Sequence, residues 1–300
     1  MNDPLVSIII NCHNGEKYLE QALQSIFNQK YKNWEIIFVD NCSNDNSFNI
    51  IKKFDNAKIN YFYINNKTSL YKARNYALNK CNGAYISFLD VDDYWLPNKI
   101  STQIYLINKK KFDVVYSNYY VKNYNFPFLK KIFSKSYLPS GNITNALLKN
   151  YTVGILTLMI NKKKIIEIDK LKFNENYDNI SDFDFVLRCS TQNLIGAIQY
   201  PLAVYGRHFN NLSKQIVINQ YHDLNNWIQD YKSVNELKKF KNFKFIIKKI
   251  DYLKIQNQIS KNLNFIQKIK IILHHNNFRE KIKLFLILVL PENVIRFLRK

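Results

Sequence analysis

The sequence predicts an α/β fold, with a mostly parallel sheet and flanking helices, followed by a helical C-terminal tail. Apolar β-branched runs alternate with helical patterns over roughly the first hundred residues, as in right-handed βαβ units. With 300 residues, 47% of them hydrophobic, the chain can bury a large core. Beyond about Gln215, glycine and proline nearly vanish until Pro291 and lysine-rich amphipathic segments take over. We therefore place one domain at residues 1–215 and a second region at 216–300.

The predicted strands are continuous apolar runs, the pattern of strands buried on both faces of a sheet. Polar turns such as Asn14-Gly15 and Asn82-Gly83 separate them from segments with apolar residues at helical spacing. The predicted strands are Leu5–Ile10, Trp34–Asp40, Ile59–Ile64, Tyr85–Asp90 and Asp113–Asn118, and Val153–Ile160 is a further apolar run.

A polar, partly acidic rim follows these strands. Ligands of parallel α/β sheets bind beyond the carboxyl ends of the strands, so the side chains there are candidates for a binding site. They are Asn11, His13 and Asn14 after the first strand, Asp40 and Asn41 after the second, and Asp90, Asp92 and Asp93 after the fourth.

The last of these groups, Asp90, Asp92 and Asp93, places three carboxylates within four residues. Such charges repel one another and destabilise the fold unless a cation lies among them. Mg²⁺ or Mn²⁺, bound through one or two carboxylates and the phosphate oxygens of a substrate, meets this requirement. A solvated acidic turn that caps a helix is the alternative. The position after a buried strand, in a chain otherwise poor in acid, favours the metal.

The chain has 44 basic and 23 acidic residues, a net charge of +21. An anionic membrane, a phosphorylated substrate or nucleic acid would suit this charge, although A/T-rich codons alone would also enrich lysine. A basic nucleic-acid-binding protein is therefore an alternative, but no nucleic-acid motif is recognisable and we do not expect nucleic acid as the partner. The four scattered cysteines and the absence of an export signal indicate the cytoplasm.

Five blocks of the sequence resemble the family 2 glycosyltransferases, in order and over about residues 4–215. The blocks are VSIIINCHNGEKYL (Val6–Leu19), FVDNCSNDNS (Phe38–Ser47), Lys72–Ile100 with the acidic motif, SDFDFVLR (Ser181–Arg188) and YGRHFNNLS (Tyr205–Ser213). Five blocks together are far more specific than any one motif. The resemblance implies a GT-A fold and inverting transfer of a hexosyl-type sugar from a nucleoside-diphosphate sugar to an acceptor hydroxyl.

For the nucleotide, the resemblance implies that Asn11, His13 and Asn14 line the pocket for the base and ribose. Asn41 stands where many members have a second aspartate, and an amide can still pair with a base. This departure leaves UDP- and dTDP-sugars equally open as donors. Arg74 would face the diphosphate or the base, and a surface helix arginine is the alternative.

For the chemistry, the resemblance makes Asp182 the catalytic base, although Ser181 replaces the glutamate that usually precedes it. Asp92 and Asp93 match the pair that contacts ribose and Mg²⁺ or Mn²⁺ in a DXD motif, with Asp90 in support. His208 is either a further ligand of the metal or diphosphate, or a structural histidine that holds the closing loop.

The acceptor implied by the resemblance is a glycan or a lipid-linked glycan in cell-surface polysaccharide synthesis. An inactive GT-A relative remains an alternative. A sugar-1-phosphate nucleotidyltransferase would carry a Gly-rich, Lys/Arg-containing segment after the first strand, which NCHNGEKYL lacks.

The end of the chain, Lys281–Lys300, sets the apolar residues Leu284–Leu290 between basic flanks. The apolar run Leu284–Leu290 is much shorter than the roughly 20 apolar residues that span a bilayer. A basic amphipathic helix lying in the interface of an anionic membrane is one interpretation, which would make the protein peripheral on the inner face of the plasma membrane. A helix packed on the catalytic domain is the other.

Overall fold

The computed structural model describes residues 3–54, 57–125, 130–208, 217–259, 263–274 and 277–290. The chain divides into two compact units, Met1–Asn211 and Leu212–Lys300. The boundary that the sequence predicts after Gln215 lies outside the described residues, and the domain assignment stays a prediction.

Nine strands of the described residues form one sheet in the first unit, in the order β3-β2-β1-β4-β8-β6-β9-β5, with β7 paired to β6. The strands are β1 (Val6–Cys12), β2 (Trp34–Asp40), β3 (Ile59–Tyr63), β4 (Tyr85–Phe88), β5 (Tyr94–Trp95), β6 (Val114–Asn123), β7 (Lys130–Ile132), β8 (Met159–Asn161) and β9 (Ile195–Arg207).

One half of the sheet is parallel. Strand β1 pairs in parallel with β2 and β4, and β2 pairs in parallel with β3. Every residue of β1 and β2 is buried, as continuous apolar runs covered on both faces require. The four strands predicted up to Asp90 therefore exist, with bounds that differ by at most two residues at either end.

The other half of the sheet is mixed. Strand β8 runs antiparallel to both β4 and β6, and β9 is parallel to β6 but antiparallel to the short β5. The predicted run Val153–Ile160 is only partly a strand, because Ile155–Thr157 forms a 3₁₀ turn before β8. Strand β9 pairs with β5, and β5 directly follows the acidic motif in sequence. The end of β9 therefore lies beside that motif.

Six α-helices accompany this sheet within the described residues. They are α1 (Leu19–Phe27), α2 (Ser47–Lys53), α3 (Leu70–Leu78), α4 (Lys99–Lys110), α5 (Thr144–Lys149) and α6 (Ser181–Gln192), and a π-helical segment covers Lys163–Ile168. Leu19, Leu23 and Ile26 of α1 recur at helical spacing and are fully buried against the sheet. Helices α3 and α6 hold the two charged side chains that meet at the candidate site, Arg74 and Asp182.

The second unit is helical. Its helices in the described residues are α7 (Val217–Gln229), α8 (Tyr231–Lys238), α9 (Phe243–Ile259), α10 (Phe265–Leu273) and α11 (Phe278–Val289). Ile259, Ile272 and Leu284 form a small buried cluster that joins α9, α10 and α11. Within the described residues, no helix combines the length and the hydropathy that crossing a membrane requires.

Candidate functional site

The carboxyl ends of β1 and β2 carry the predicted nucleotide-contacting residues, and Asn11 is the most telling of them. Its side chain is 8% exposed, and among the described residues neither its amide nitrogen nor its amide oxygen has a hydrogen-bond partner. A buried polar group left unpaired costs about 1–3 kcal/mol. A bound polar ligand that reaches this edge of the sheet would remove that cost.

His13 and Asn14 tie the loop after β1 to the loop after β2. His13 Nδ1 lies 2.9 Å from the Asn41 carbonyl oxygen, to which its N–H donates. Asn14 has a left-handed backbone (φ 54°), which asparagine tolerates better than most residues, and its Oδ1 accepts the Asn44 N–H at 2.9 Å. Both residues therefore lie on the rim, and both brace the two loops against each other.

The structure gives Asn41 a different partner from the expected nucleobase. Its Nδ2 donates to the Thr68 carbonyl at 2.8 Å, and its Oδ1 accepts the Thr68 N–H at 2.9 Å. This amide is 6% exposed and already satisfied by the main chain of Thr68. Asn41 therefore fixes the segment before α3, and a direct contact with a base would require these bonds to open.

Arg74 lies inside the site. Its side chain is 1% exposed, Nη1 lies 2.5 Å from Asp182 Oδ1, and Nη2 lies 2.6 Å from Asp90 Oδ1. Burial lowers the pKa of Arg74, but the charges of Asp182 and Asp90 outweigh burial and raise the pKa above its usual value. The alternative of a surface arginine is therefore wrong. The guanidinium bridges two carboxylates, and its predicted contact with the diphosphate or the base stays a prediction.

Asp182 lies in the first turn of helix α6. The resemblance to the family predicts that its carboxylate is the catalytic base. Burial raises the pKa of its carboxyl, the nearby charge of Arg74 lowers it, and the charge of Asp90 raises it, so that the pKa stands above its ordinary value. A raised pKa makes a carboxylate a stronger base toward the proton of an acceptor hydroxyl. The main-chain carbonyl of Asp182 also accepts a hydrogen bond from the hydroxyl of the half-buried Tyr151.

Asp184, two residues further along α6, faces elsewhere. It is fully buried, and its Oδ2 accepts from Arg188 Nη2 at 2.7 Å in an (i, i+4) ion pair. Side chains two apart on a helix diverge by about 200°, so the two aspartates of this block have separate surroundings. Asp184 holds α6 in place and lies away from the rim.

The acidic motif divides into two kinds of carboxylate. Asp92 Oδ2 lies 2.9 Å from His208 Nε2, and the two side chains are 21% and 13% exposed. Burial and the charge of Asp90 raise the pKa of Asp92. Asp93, in contrast, is 2% exposed and its Oδ1 accepts the Gly206 N–H at 2.8 Å. Burial and its acidic neighbours raise the pKa of Asp93 well above the ordinary value.

Gly206 explains how the end of β9 docks on this motif. A Cβ at position 206 would clash with the carbonyl oxygen of Asp92. Because glycine has none, the chain passes close enough for its N–H to reach Asp93 and for His208 to reach Asp92. The remainder of the predicted closing block, Phe209–Ser213, lies outside the described residues.

A divalent ion fits this arrangement through Asp92 and His208. Among the described residues, no three His, Cys, Asp or Glu side chains converge as a complete ligand set. Mg²⁺ and Mn²⁺ sites with one or two protein ligands take their remaining ligands from substrate phosphates and water, so a pair suffices. The buried position of Asp93, which binds a backbone N–H, argues against this residue as a direct ligand.

Tyr18 is a residue of the site that the sequence did not reveal. Its ring stacks on the His208 imidazole at 4.8 Å and on the Tyr124 ring at 4.9 Å. Tyr18 is the N-cap of α1. Tyr18 and His208 are far apart in sequence and come together only where β9 ends. No local sequence pattern therefore predicts their contact.

Residues 7–168 match the model of "Glycosyl transferase family 2", and these residues contain the rim, Arg74 and the acidic motif. The chain belongs to glycosyl transferase family 2. The predicted family is thereby confirmed, which favours a transferase over the nucleic-acid-binding alternative. The blocks Ser181–Arg188 and Tyr205–Ser213 lie beyond the matched residues, and the roles predicted from them stay predictions.

A relative of known name agrees with this membership. An Escherichia coli protein, "UDP-Glc:alpha-D-GlcNAc-diphosphoundecaprenol beta-1,3-glucosyltransferase WfgD", is 34% identical over 162 residues, which are 54% of this chain and 62% of that protein. The match thus spans less than two thirds of this relative.

Two solved structures share the fold. S. aureus TarS 1-349 in complex with UDP-GlcNAc has a TM-score of 0.66 and 17% identity, over 96% of this chain and 82% of that one. The mannosyltransferase PcManGT from Pyrobaculum calidifontis, in complex with GDP-Man and Mn²⁺, has a TM-score of 0.62 and 14% identity, over 99% and 83%. The predicted GT-A fold with a helical C-terminal region is confirmed.

Proposed function

We propose that this protein is an inverting, metal-dependent glycosyltransferase that moves a sugar from a nucleoside-diphosphate sugar to an acceptor hydroxyl. One observation carries the proposal. Arg74 joins Asp182 to Asp90 of the acidic motif through ion pairs of 2.5 and 2.6 Å. A raised-pKa carboxylate and a motif suited to a divalent ion therefore belong to one network, although 92 residues separate Asp90 and Asp182 in sequence.

The donor in this proposal is a UDP- or dTDP-sugar, bound at the ends of β1 and β2. The unpaired amide of Asn11 supports a polar contact there, and His13 and Asn14 line the same rim. Asn41 contributes by holding Thr68. Solved relatives carry UDP-GlcNAc or GDP-Man, which supports a nucleotide-sugar as the ligand class.

Asp182 acts as the base in the proposed reaction. An acceptor alcohol is a poor nucleophile at neutral pH, and a carboxylate within hydrogen-bond reach takes its proton as attack proceeds. The oxygen of the acceptor forms the new bond to the anomeric carbon as the bond to the diphosphate breaks. A single in-line attack of this kind inverts the anomeric configuration. Arg74 orients the carboxylate of Asp182 through their ion pair, and its charge favours the ionised form by lowering the pKa of that carboxyl.

Asp92 and His208 would hold Mg²⁺ or Mn²⁺ together with the diphosphate. When bound, such an ion neutralises the charge that develops on the leaving diphosphate. The protein then needs no acid on the leaving-group side, whereas glycosidases need two carboxyl groups across the scissile bond. The contact of Asp93 with Gly206 keeps the two ligands together.

The acceptor in this proposal is a glycan, and a lipid-linked one is favoured, in the synthesis of cell-surface polysaccharide. The name of the E. coli relative specifies a GlcNAc-diphosphoundecaprenol acceptor, which supports this class. Such an acceptor would be used at the cytoplasmic face of the plasma membrane, with the protein bound there peripherally.

The proposal is tested by incubating the protein with a panel of UDP- and dTDP-sugars and Mn²⁺. We expect at least one donor to release its nucleoside diphosphate, and the release to stop in excess chelator. With an acceptor, the product anomer should be opposite to that of the donor by NMR. No binding and no turnover of any donor would favour the inactive-relative alternative, and a retained anomer would exclude inversion.

A further inference from the structure

Helix α11 presents large apolar side chains to solvent. Phe278 is 75% exposed, Ile282 47%, Phe285 45%, Leu286 41% and Val289 51%. In a water-soluble fold such side chains usually occur singly, and a contiguous apolar surface marks an interaction site. Five of them on one helix of 12 residues call for a partner.

These five residues, which we term the α11 stripe, occupy a single face of the helix. Their spacing is i, i+4, i+7, i+8 and i+11, which covers an arc of about 100° at 3.6 residues per turn. The opposite side of the helix packs on α9 and α10 through the fully buried Leu284 and through Ile287 and Leu288. The helix is therefore anchored to its own unit by one face while the other remains apolar and open.

Positive charge borders the stripe. On the same helical projection Arg279 falls beside one edge of the stripe and Lys281 beside the other. The segment 212–300 carries 18 basic against 6 acidic residues. An apolar stripe with cationic edges matches a surface that has apolar chains below and anionic groups above.

A groove of about 1000 Å³ adjoins the stripe and shares Phe278 with it. Lys248, Lys254 and Lys270 line this groove together with Asp251 and Glu280. Within the described residues, none of these three lysines forms an ion pair with a carboxylate. The groove thus adds lysine side chains beside the apolar face, where they are suited to pair with the phosphates of lipid headgroups.

The length of α11 indicates how it would meet a membrane. Twelve residues extend about 18 Å at 1.5 Å per residue, against roughly 30 Å of bilayer hydrocarbon. A helix that is too short to span, with its stripe parallel to its axis, fits a position in the plane of the interface.

We propose that the α11 stripe, with Arg279, Lys281 and the lysines of the groove, is the surface by which this protein docks on an anionic phospholipid membrane. This inference deepens the peripheral membrane location in the proposed function, and it assigns the contact to described residues upstream of Pro291. The remainder of the predicted amphipathic segment, Pro291–Lys300, lies outside the described residues.

The test uses the full chain and co-sedimentation with vesicles of equal parts phosphatidylglycerol and phosphatidylcholine at low salt. We expect the parent to bind, and the double variant Phe278→Ser/Phe285→Ser to bind at least about tenfold more weakly, since each phenylalanine loses its burial in lipid. The matched control is Ile168→Ser/Leu194→Ser, which removes apolar side chains of 59% and 56% exposure from the first unit and should bind as the parent does.

Charge is tested separately. Arg279→Glu/Lys281→Glu should abolish the preference for phosphatidylglycerol over pure phosphatidylcholine, and Lys109→Glu/Lys110→Glu on α4 should keep it. A parent that ignores the anionic vesicles overturns the proposal, as does equal binding by the stripe variant and its control. A parent dimer that the stripe variant dissociates, without vesicle binding, would show that a second copy of the chain covers the stripe.

The binding of UDP with Mn²⁺, measured without vesicles, separates this inference from the proposed activity. We expect the stripe variants to retain that binding. If the parent fails to bind any nucleotide but the stripe variants still lose the vesicles, the proposed activity fails and the docking surface stands.

Discussion

Arg74 Nη1 lies 2.5 Å from Asp182 Oδ1, and the same guanidinium reaches Asp90 with its second terminal nitrogen. The side chain of Arg74 is 1% exposed, and each of its two terminal nitrogens forms an ion pair with one of these carboxylates. Breaking a buried ion pair by removing one partner leaves an uncompensated charge. The position and the pKa of the proposed base therefore depend on a residue that need not touch either substrate.

This dependence predicts the pH profile of Arg74 variants. The pKa of Asp182 already stands above its ordinary value because of burial, and Arg74 opposes the rise. Arg74→Gln removes that opposition, so the carboxyl should protonate at a higher pH. We expect the acidic limb of kcat/KM to shift toward higher pH, and Arg74→Lys to restore part of the shift. An unchanged limb in a folded Arg74→Gln protein would mean that Asp182 does not set it.

Asp92, His208 and Asp93 should differ in their effect on metal binding. In Asp92→Asn and His208→Ala we expect Mn²⁺ in the presence of UDP to bind at least about tenfold more weakly, since each loses a ligand. Asp93→Asn should affect the melting temperature first, because it weakens the bond from Gly206. Calorimetric titration and thermal melting measure the two effects. Loss of Mn²⁺ binding in Asp93→Asn alone would restore Asp93 as a ligand.

Tyr18 should act by positioning His208. The ring of Tyr18 stacks on the imidazole at 4.8 Å with planes 22° apart, and such pairs contribute about 0.5–1.5 kcal/mol. Tyr18→Leu should weaken Mn²⁺ binding by roughly threefold to tenfold, and Tyr18→Phe, which keeps the ring, should not. Equal effects of the two substitutions would point to the hydroxyl and contradict the stacking account.

The parallel half of the sheet could be predicted from the sequence because its strands are long, apolar and separated by clear turns. The direction of β8 could not be predicted, since an apolar run reads the same whichever way it crosses the sheet. Asn11 and Asp182 could be singled out through motif blocks. Their partners could not, because Arg74 and Asp182 are separated by 108 residues and meet only in the folded chain, through their ion pair.

The hydrogen-bond partner of the Asn41 side chain could not be predicted from the sequence either. An amide can pair with a base or with the main chain, and its chemistry does not say which. The structure shows it paired with Thr68. The exposed stripe of α11 shows the same limit, since a helical pattern predicts an apolar face without saying what covers it.

Lys99 offers a test of the core itself. It is fully buried, its Nζ donates to Gln103 Oε1 at 2.7 Å, and it lies 3.8 Å from the centre of the Trp95 ring. Burial lowers the pKa of Lys99 well below its usual value.

In the unfolded chain the pKa of Lys99 returns to about 10.4. Between the lowered folded pKa and that value the unfolded state holds an extra proton, so the free energy of unfolding rises with pH. Lys99→Met should flatten this rise in denaturant titrations across that window, whereas Lys110→Met, on the exposed side of α4, should leave it unchanged. The same slope in Lys99→Met and the parent would show that Lys99 is not the source.

The measurement that tests the central claim most directly compares Asp182→Asn with Asp184→Asn. Both substitutions remove one carboxylate from α6, and only Asp182 belongs to the network of Arg74, whereas Asp184 pairs with Arg188. We predict that Asp182→Asn folds and binds UDP with Mn²⁺ yet loses transfer by roughly 10²–10⁴-fold. Asp184→Asn should lower the melting temperature and keep transfer in the folded fraction. Normal transfer by a folded Asp182→Asn protein, with transfer lost in Asp184→Asn, would contradict the assignment of the base.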